Sequence, residues 1–188
     1  MHPTETPHPS PLPRIIAISG KQFSGKDVLA DLLCQMFPGY QKKPIASAIK
    51  RRYAAAHDLS LEALETNKAT HRPGLIAMGD WGRAQDPNYW LTALLEDAVP
   101  SIVSDMRLRH EYHFFRKRGA FCIRLNAERS VRETRGFLVS ENDPTECDLD
   151  DIRDSDWDCV LENNGSRADF DRLTQDFFRQ WSSGDTHF

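Results

Sequence analysis

Gly20 and Gly25 bracket Lys21, Gln22, Phe23 and Ser24, and Lys26 and Asp27 follow at once. Residues of these types at this spacing can cradle phosphate. Glycines let the backbone curl until its N–H groups point at an anion, and a helix starting there adds its positive end. A lysine directly after the second glycine reaches the oxygens between the β- and γ-phosphates. A hydroxyl residue usually closes such a loop and touches Mg²⁺. Here Asp27 closes it, and its carboxylate would hold the metal directly or through water.

Arginines supply the second half of a phosphoryl-transfer site, which needs positioning and positive charge more than covalent chemistry. Arg129, Arg132 and Arg135 recur every three residues, which on a helix makes one stripe. With Gly136 and a polar loop after them, they read as an Arg-rich lid over about residues 127–150 that closes over ATP and acceptor. The competing reading is a solvated helix whose arginines pair with Glu128 and Glu133. Asp105 ends the apolar run Ile102, Val103, where a carboxylate can order Mg²⁺, and Arg107 would grip a phosphate in the same cleft. The alternative for Asp105 is an N-cap of the following helix. Lys26, Arg107, Arg132 and Arg135 are thus the candidate catalytic cations. The nucleotide is expected at Gly20, Lys21, Gln22, Phe23, Ser24, Gly25, Lys26 and Asp27 with Arg132 and Asn163, and the metal at Asp27 and Asp105.

The elements that must position these residues follow from periodicity. Arg14–Ser19 reads as a buried strand and Asp27–Met36 as the helix opened by the loop. A short strand over Tyr40–Lys43 and a helix over Ala46–His57 come next. Ser60 is placed to cap a helix over Leu61–Lys68. Two helices over Arg72–Val99 divide near Asp86 and Pro87. Strands over Ser101–Asp105, Gly119–Leu125 and Asp158–Glu162 alternate with helices over Met106–Arg118, Ala127–Phe137 and Ala168–Trp181. Ser140–Asp154 reads as an acidic loop. The stripe Phe170, Leu173, Phe177, Phe178 and Trp181 reads as core. Alternation of this kind predicts an α/β three-layer P-loop kinase fold with a central parallel sheet of about five strands. Ligands bind such sheets at the carboxyl ends of the strands, where Gly20, Asp105, Arg107 and Asn163 fall.

Composition narrows the class. The 188 residues suit one domain over 14–183, with an acceptor-binding region at about 44–99, and five prolines within residues 1–13 suggest a disordered tail. With 24 basic and 28 acidic residues the net charge is −4, so no whole-chain attraction to nucleic acid or membrane is expected. Cys34, Cys122, Cys147 and Cys159 form no metal-binding spacing and suit a reducing cytoplasm. His110 and His113 lack a nearby third ligand. A monomer acting on a small phosphorylated substrate is the expectation.

The chain resembles animal-type phosphomevalonate kinase, within the P-loop nucleoside monophosphate kinase-like group, from about Ile15 to Gly165. The resemblance rests on the loop with its aspartate, Ile49 through Tyr53, His57 through Leu59, Gly79 through Arg83 to Pro87, Val103 through Arg107, Arg132 through Phe137, Glu146 with Cys147, and Asp156 through Asp158 with Glu162 and Asn163. It implies transfer of the γ-phosphate of ATP to phosphomevalonate, with Mg²⁺ required. It also places substrate-binding cations at Lys21, Lys50, Lys68, Arg72, Arg83, Arg107 and Arg124. Where the animal enzymes usually carry basic residues, this chain has Gln22, Phe23, Thr92 and Leu108, and its lid loop is shorter. Deoxynucleoside monophosphate kinases share the Gly-Lys-Asp loop, the Asp-x-Arg strand end and the corner at Asn163. Phe23 with Asn88, Tyr89 and Trp90 would suit a base pocket, so that acceptor class is the alternative. A nucleotide-binding regulator without catalysis is the further alternative.

Overall fold

Alternation within the strands builds the layers. In β1 (Ile15–Ser19) every residue is buried, because Ile15 and Ala17 point to one face while Ile16 and Ile18 point to the other. A computed structural model describes residues 13–138, 140 and 143–183. The proline-rich tail, apart from Pro13, the residues after Ser183 and three positions of the expected lid (139, 141 and 142) lie outside the described residues.

Five parallel strands form one sheet in the order β2-β3-β1-β4-β5, with β2 at Gln41–Lys42, β3 at Ser101–Met106, β4 at Phe121–Asn126 and β5 at Cys159–Glu162. Helices α1 (Lys26–Met36) and α9 (Arg167–Ser183) cover the face carrying Ile16, Ile18 and Ile123. On the other face lie α2 (Ile45–Ala56), α5 (Tyr89–Leu94) and α6 (Arg109–Arg116), around Trp90, Leu94 and Phe115. The connection leaving β1 runs toward β2 and the one leaving β3 runs the other way, past β1 to β4, so a crevice opens between the carboxyl ends of β1 and β3.

The α3 helix (Leu61–Thr66) starts at the expected cap, where Ser60 Oγ accepts the Ala63 N–H at 3.0 Å. Other boundaries moved for physical reasons. The α4 helix (Lys68–Gln85) begins four residues before Arg72, so Pro73 lies inside it rather than at its first turn. The helix expected from Met106 begins at Arg109, because β3 continues through Met106 and buried Glu111 accepts the N–H groups of Arg107 and Leu108 at 2.7 and 2.9 Å. Between β4 and β5, α7 (Arg129–Arg135) is followed by a segment that is more than a polar loop, since it contains α8 (Pro144–Cys147) and a 3-10 turn at Asp154–Asp156. Along α9, Phe170 and Phe178 are core as expected, but Leu173 is 42% exposed because it falls outside the inward stripe.

Glu111 gives a stability prediction. Burial, with some help from Asp105, pushes its carboxyl up to about 7 from 4.5, against the pull of the two N–H groups and Arg107. A carboxyl raised in the folded state contributes stability that is present below about pH 4.5 and lost as pH rises through about 7. Chemical denaturation should therefore show wild type losing up to about 3 kcal/mol relative to Glu111→Gln across that window. A difference that stays flat with pH would rule this out.

Candidate active site

Gly20 adopts φ +153° and Gly25 φ +103°, and a Cβ on either would clash with its neighbour, 2.2 Å from the Leu125 carbonyl oxygen and 2.5 Å from Asn163 Nδ2 respectively. Only glycine fits both positions. Buried Asn163 donates from Nδ2 to the Ser24 carbonyl at 2.8 Å, and Arg135 donates to the carbonyls of Asn163 and Phe23 at 3.0 and 3.3 Å. The loop is thus braced from outside, while the first-turn N–H groups of α1 have no intrahelical partner. Ser24 is fully buried with its hydroxyl turned inward, and Asn163 meets the loop backbone. Both brace the loop from behind, and neither lines the cavity beside Lys26.

Lys26 is 8% exposed and donates to the carbonyls of Gly20 and Lys21 at 2.6 and 2.8 Å. Burial, then the neighbouring Arg107, lowers its pKa to about 8, with Glu146, Asp27 and Asp105 opposing. An ammonium so poorly solvated gains most from an incoming polyanion.

Lys26, Asp27, Ser104, Asp105, Arg107 and Arg135 line one cavity of about 360 Å³, beside Gln22 and Phe23. Asp27 Oδ1 pairs with Lys42 at 2.9 Å and accepts the Ser104 hydroxyl at 3.3 Å. Asp105 Oδ1 accepts the Ile45 N–H at 2.7 Å, so it caps α2 and not the helix that follows it in sequence. Burial raises its carboxyl above the ordinary range, against the α2 N–H groups and Arg107. Among the described residues no group of three or more His, Cys, Asp or Glu could hold a metal ion, His110 and His113 included. Two carboxylates, each with an oxygen already engaged, fit an ion that arrives on phosphate oxygens rather than one caged by protein.

The arginine stripe divides. Exposed Arg129 pairs with Glu133 at 2.8 Å, as a solvated helix would have it. Arg132 is 3% exposed, donates from Nε to the Ala127 carbonyl at 3.1 Å and lines a separate cavity with Lys21, Asn126 and Glu162. Of the three, Arg135 alone lines the Lys26 cavity. Arg124 donates to the carbonyls of Leu149 and Ile152 and to Asp154, and stacks 4.9 Å over Trp157. In this arrangement it organises the segment after α8 rather than meeting an acceptor.

The acidic segment supplies what sequence reasoning missed. Glu146 meets Arg107 at 2.6 Å and Asp150 meets Lys21 at 2.9 Å, so two expected phosphate-site cations carry carboxylate partners. In the sequence, Glu146 stood out only through the family resemblance, with no partner assigned, and Asp150 did not stand out at all.

Lys50, Lys68, Arg72 and Arg83 converge on one groove of about 400 Å³ between α2 and α4, floored by Ile49, Leu75 and Ile76. Lys50 pairs with Glu65, which Lys68 also approaches at 4.0 Å, and Arg83 pairs with Asp80 at 2.7 Å. Lys50 lies about 7–8 Å along α2 from the end that Asp105 caps. Trp90 does not offer a base platform: it is buried and donates to the Gly79 carbonyl at 2.9 Å.

Comparison with known proteins matches residues 18–121 to the phosphomevalonate kinase family. The chain is 30% identical over 168 residues to the phosphomevalonate kinase of Drosophila melanogaster, covering 80% of this chain and 88% of that one. It is 27% identical over 179 residues to an uncharacterized protein of Ictalurid herpesvirus 1, covering 89% and 68%. The crystal structure of TT1252 from Thermus thermophilus shares the fold, with a TM-score of 0.50 at 20% identity over 90% of this chain and 98% of that chain.

Proposed function

The chain belongs to the phosphomevalonate kinase family, and on that premise we propose that it transfers the γ-phosphoryl group of ATP to the phosphate of phosphomevalonate, releasing ADP and a diphosphate ester. The observation that carries this reading is the pairing of two spaces: a cavity of about 360 Å³ holding Lys26, Arg107 and Arg135, and a groove holding four cations over an aliphatic floor. Aliphatic walls with cations around them suit a branched aliphatic acid bearing a phosphate. No aromatic ring lines that groove for a nucleobase to stack on.

An oxygen of the acceptor phosphate attacks the γ-phosphorus and the bond to the β–γ bridging oxygen breaks. The acceptor is already anionic near neutral pH, so no side chain need act as a strong base. Lys26 and Arg107 offset the charge spread over the transferring group. Arg135 braces the loop while facing the same cavity. Asp27 and Asp105 would hold Mg²⁺, which would offset the negative charge of the nucleotide's phosphates. Lys50, Lys68, Arg72 and Arg83 bind the acceptor's anionic ends, and Lys21 and Arg132 serve the cavities beside the loop.

The four cysteines are free, which supports a reducing cytoplasm, and no helix among the described residues is long and apolar enough to cross a membrane. ADP release with ATP and Mg²⁺ tests the reading against phosphomevalonate, dTMP, dGMP, dCMP and AMP. Phosphomevalonate should dominate, and Arg72→Ala should raise its KM about tenfold or more while leaving the KM for ATP near wild type. A dominant response to a nucleotide would overturn the acceptor assignment.

A further inference from the structure

Glu146 is the most fully enclosed carboxylate at the site, its side chain 3% exposed. Its Oε2 accepts the Gln22 N–H at 2.6 Å and its Oε1 accepts an Arg107 N–H at 2.6 Å. Burying a charge is costly unless its oxygens are engaged. Here they are engaged by groups from different strands, the loop after β1 and the end of β3. The α8 segment that presents Glu146 has its own anchors: Asp143 Oδ1 accepts the Thr145 N–H at 2.9 Å, and Asp148 accepts the Arg109 N–H at 2.6 Å. Arg107 lines both the Lys26 cavity and a smaller one of about 160 Å³ beside Lys21 and Asp150. Something must fix which way its guanidinium points.

We propose that Glu146 is a positioning residue for phosphoryl transfer, tying the phosphate-binding loop to Arg107 and setting that guanidinium against the Lys26 cavity. The inference rests on the reading that Lys26 and Arg107 serve the transferring phosphoryl group. A carboxylate is suited to the task because both oxygens accept. An amide in its place turns an NH₂ toward one of the two donors and loses that tie whichever way it is flipped. An aspartate keeps the charge but is one methylene shorter, and cannot span both donors.

Two measurements on the full chain test this. In steady-state kinetics, Glu146→Gln should lower kcat about 10–100-fold with both KM values little changed, since small misplacements of a catalytic group cost rates of that order. In an Arg107→Ala background the same change should cost little more, because Glu146 acts through Arg107. Additive losses would overturn the proposal. In hydrogen exchange without substrates, the Gln22 amide should be protected in wild type and exchange faster in Glu146→Ala, which keeps neither tie. Unchanged exchange would overturn it too. Should the glutamine variant not fold, the aspartate variant gives the kinetic readout and Glu146→Ala the exchange readout. Should wild type phosphorylate no acceptor, the phosphotransfer reading fails, while the exchange comparison still decides the tie.

Discussion

Lys26→Met should abolish turnover, lowering kcat by about 10³-fold or more, and leave the fold intact. The lysine is buried, donates to two loop carbonyls and lines the cavity opposite Arg107. Methionine keeps much of its volume but brings no charge to a γ-phosphoryl group in flight. Stability moves differently from activity. The lysine's pKa is depressed to about 8 in the folded chain, so between that value and its ordinary 10.5 the unfolded chain binds more protons, and wild-type stability rises with pH. Near pH 7 the buried ammonium is a net cost that methionine removes, offset by the donor lost to Gly20 and Lys21. The thermal midpoint of the variant should therefore stay close to wild type near neutrality, and the alkaline rise should vanish. A variant with near-normal turnover would defeat the assignment of this loop.

Arg107→Ala should cost about 10³–10⁵ in kcat/KM, the range found when an arginine stabilising phosphoryl transfer is removed. It should also destabilise, because Glu146 is left buried with one oxygen unpaired. Breaking a fully buried pair costs about 3–5 kcal/mol. Arg107 is a third exposed, so roughly 2 kcal/mol is the better expectation. That corresponds to a fall in thermal midpoint of about 4–8 °C for a chain of this size. Adding Glu146→Gln should restore much of that stability and none of the activity. Thermal scans and kinetics on the three variants separate the two roles. Restored turnover in the double variant would contradict a direct role for Arg107.

The phosphate loop was legible because its determinants are local. Gly20 and Gly25 are required by backbone conformation and close contacts, Lys26 by its place at the start of a helix, and the preceding strand by an unbroken apolar run. The four cations of the groove between α2 and α4 were legible only by resemblance, since nothing in their spacing joins Lys50 on α2 to Arg83 on α4. The arginine stripe shows the limit of periodicity. Arg132 and Arg135 are neighbours on one short helix, yet one is buried against Ala127 and the other reaches Phe23 and Asn163. Residues three apart on a helix differ by about 60° in direction, which at the edge of a cleft is enough to place them in different cavities.

By itself the sequence determined the alternating layers, the glycine-framed turn and the supply of cations, because each depends on residues a few positions apart. The tertiary structure decided which of those cations share a cavity and which carboxylates meet them. Glu146 reaches Gln22 across 124 positions of sequence and Asp105 caps α2 from 60 positions away. Contacts between segments so far apart leave no periodic trace, since the packing of the sheet and the course of the loops bring them together.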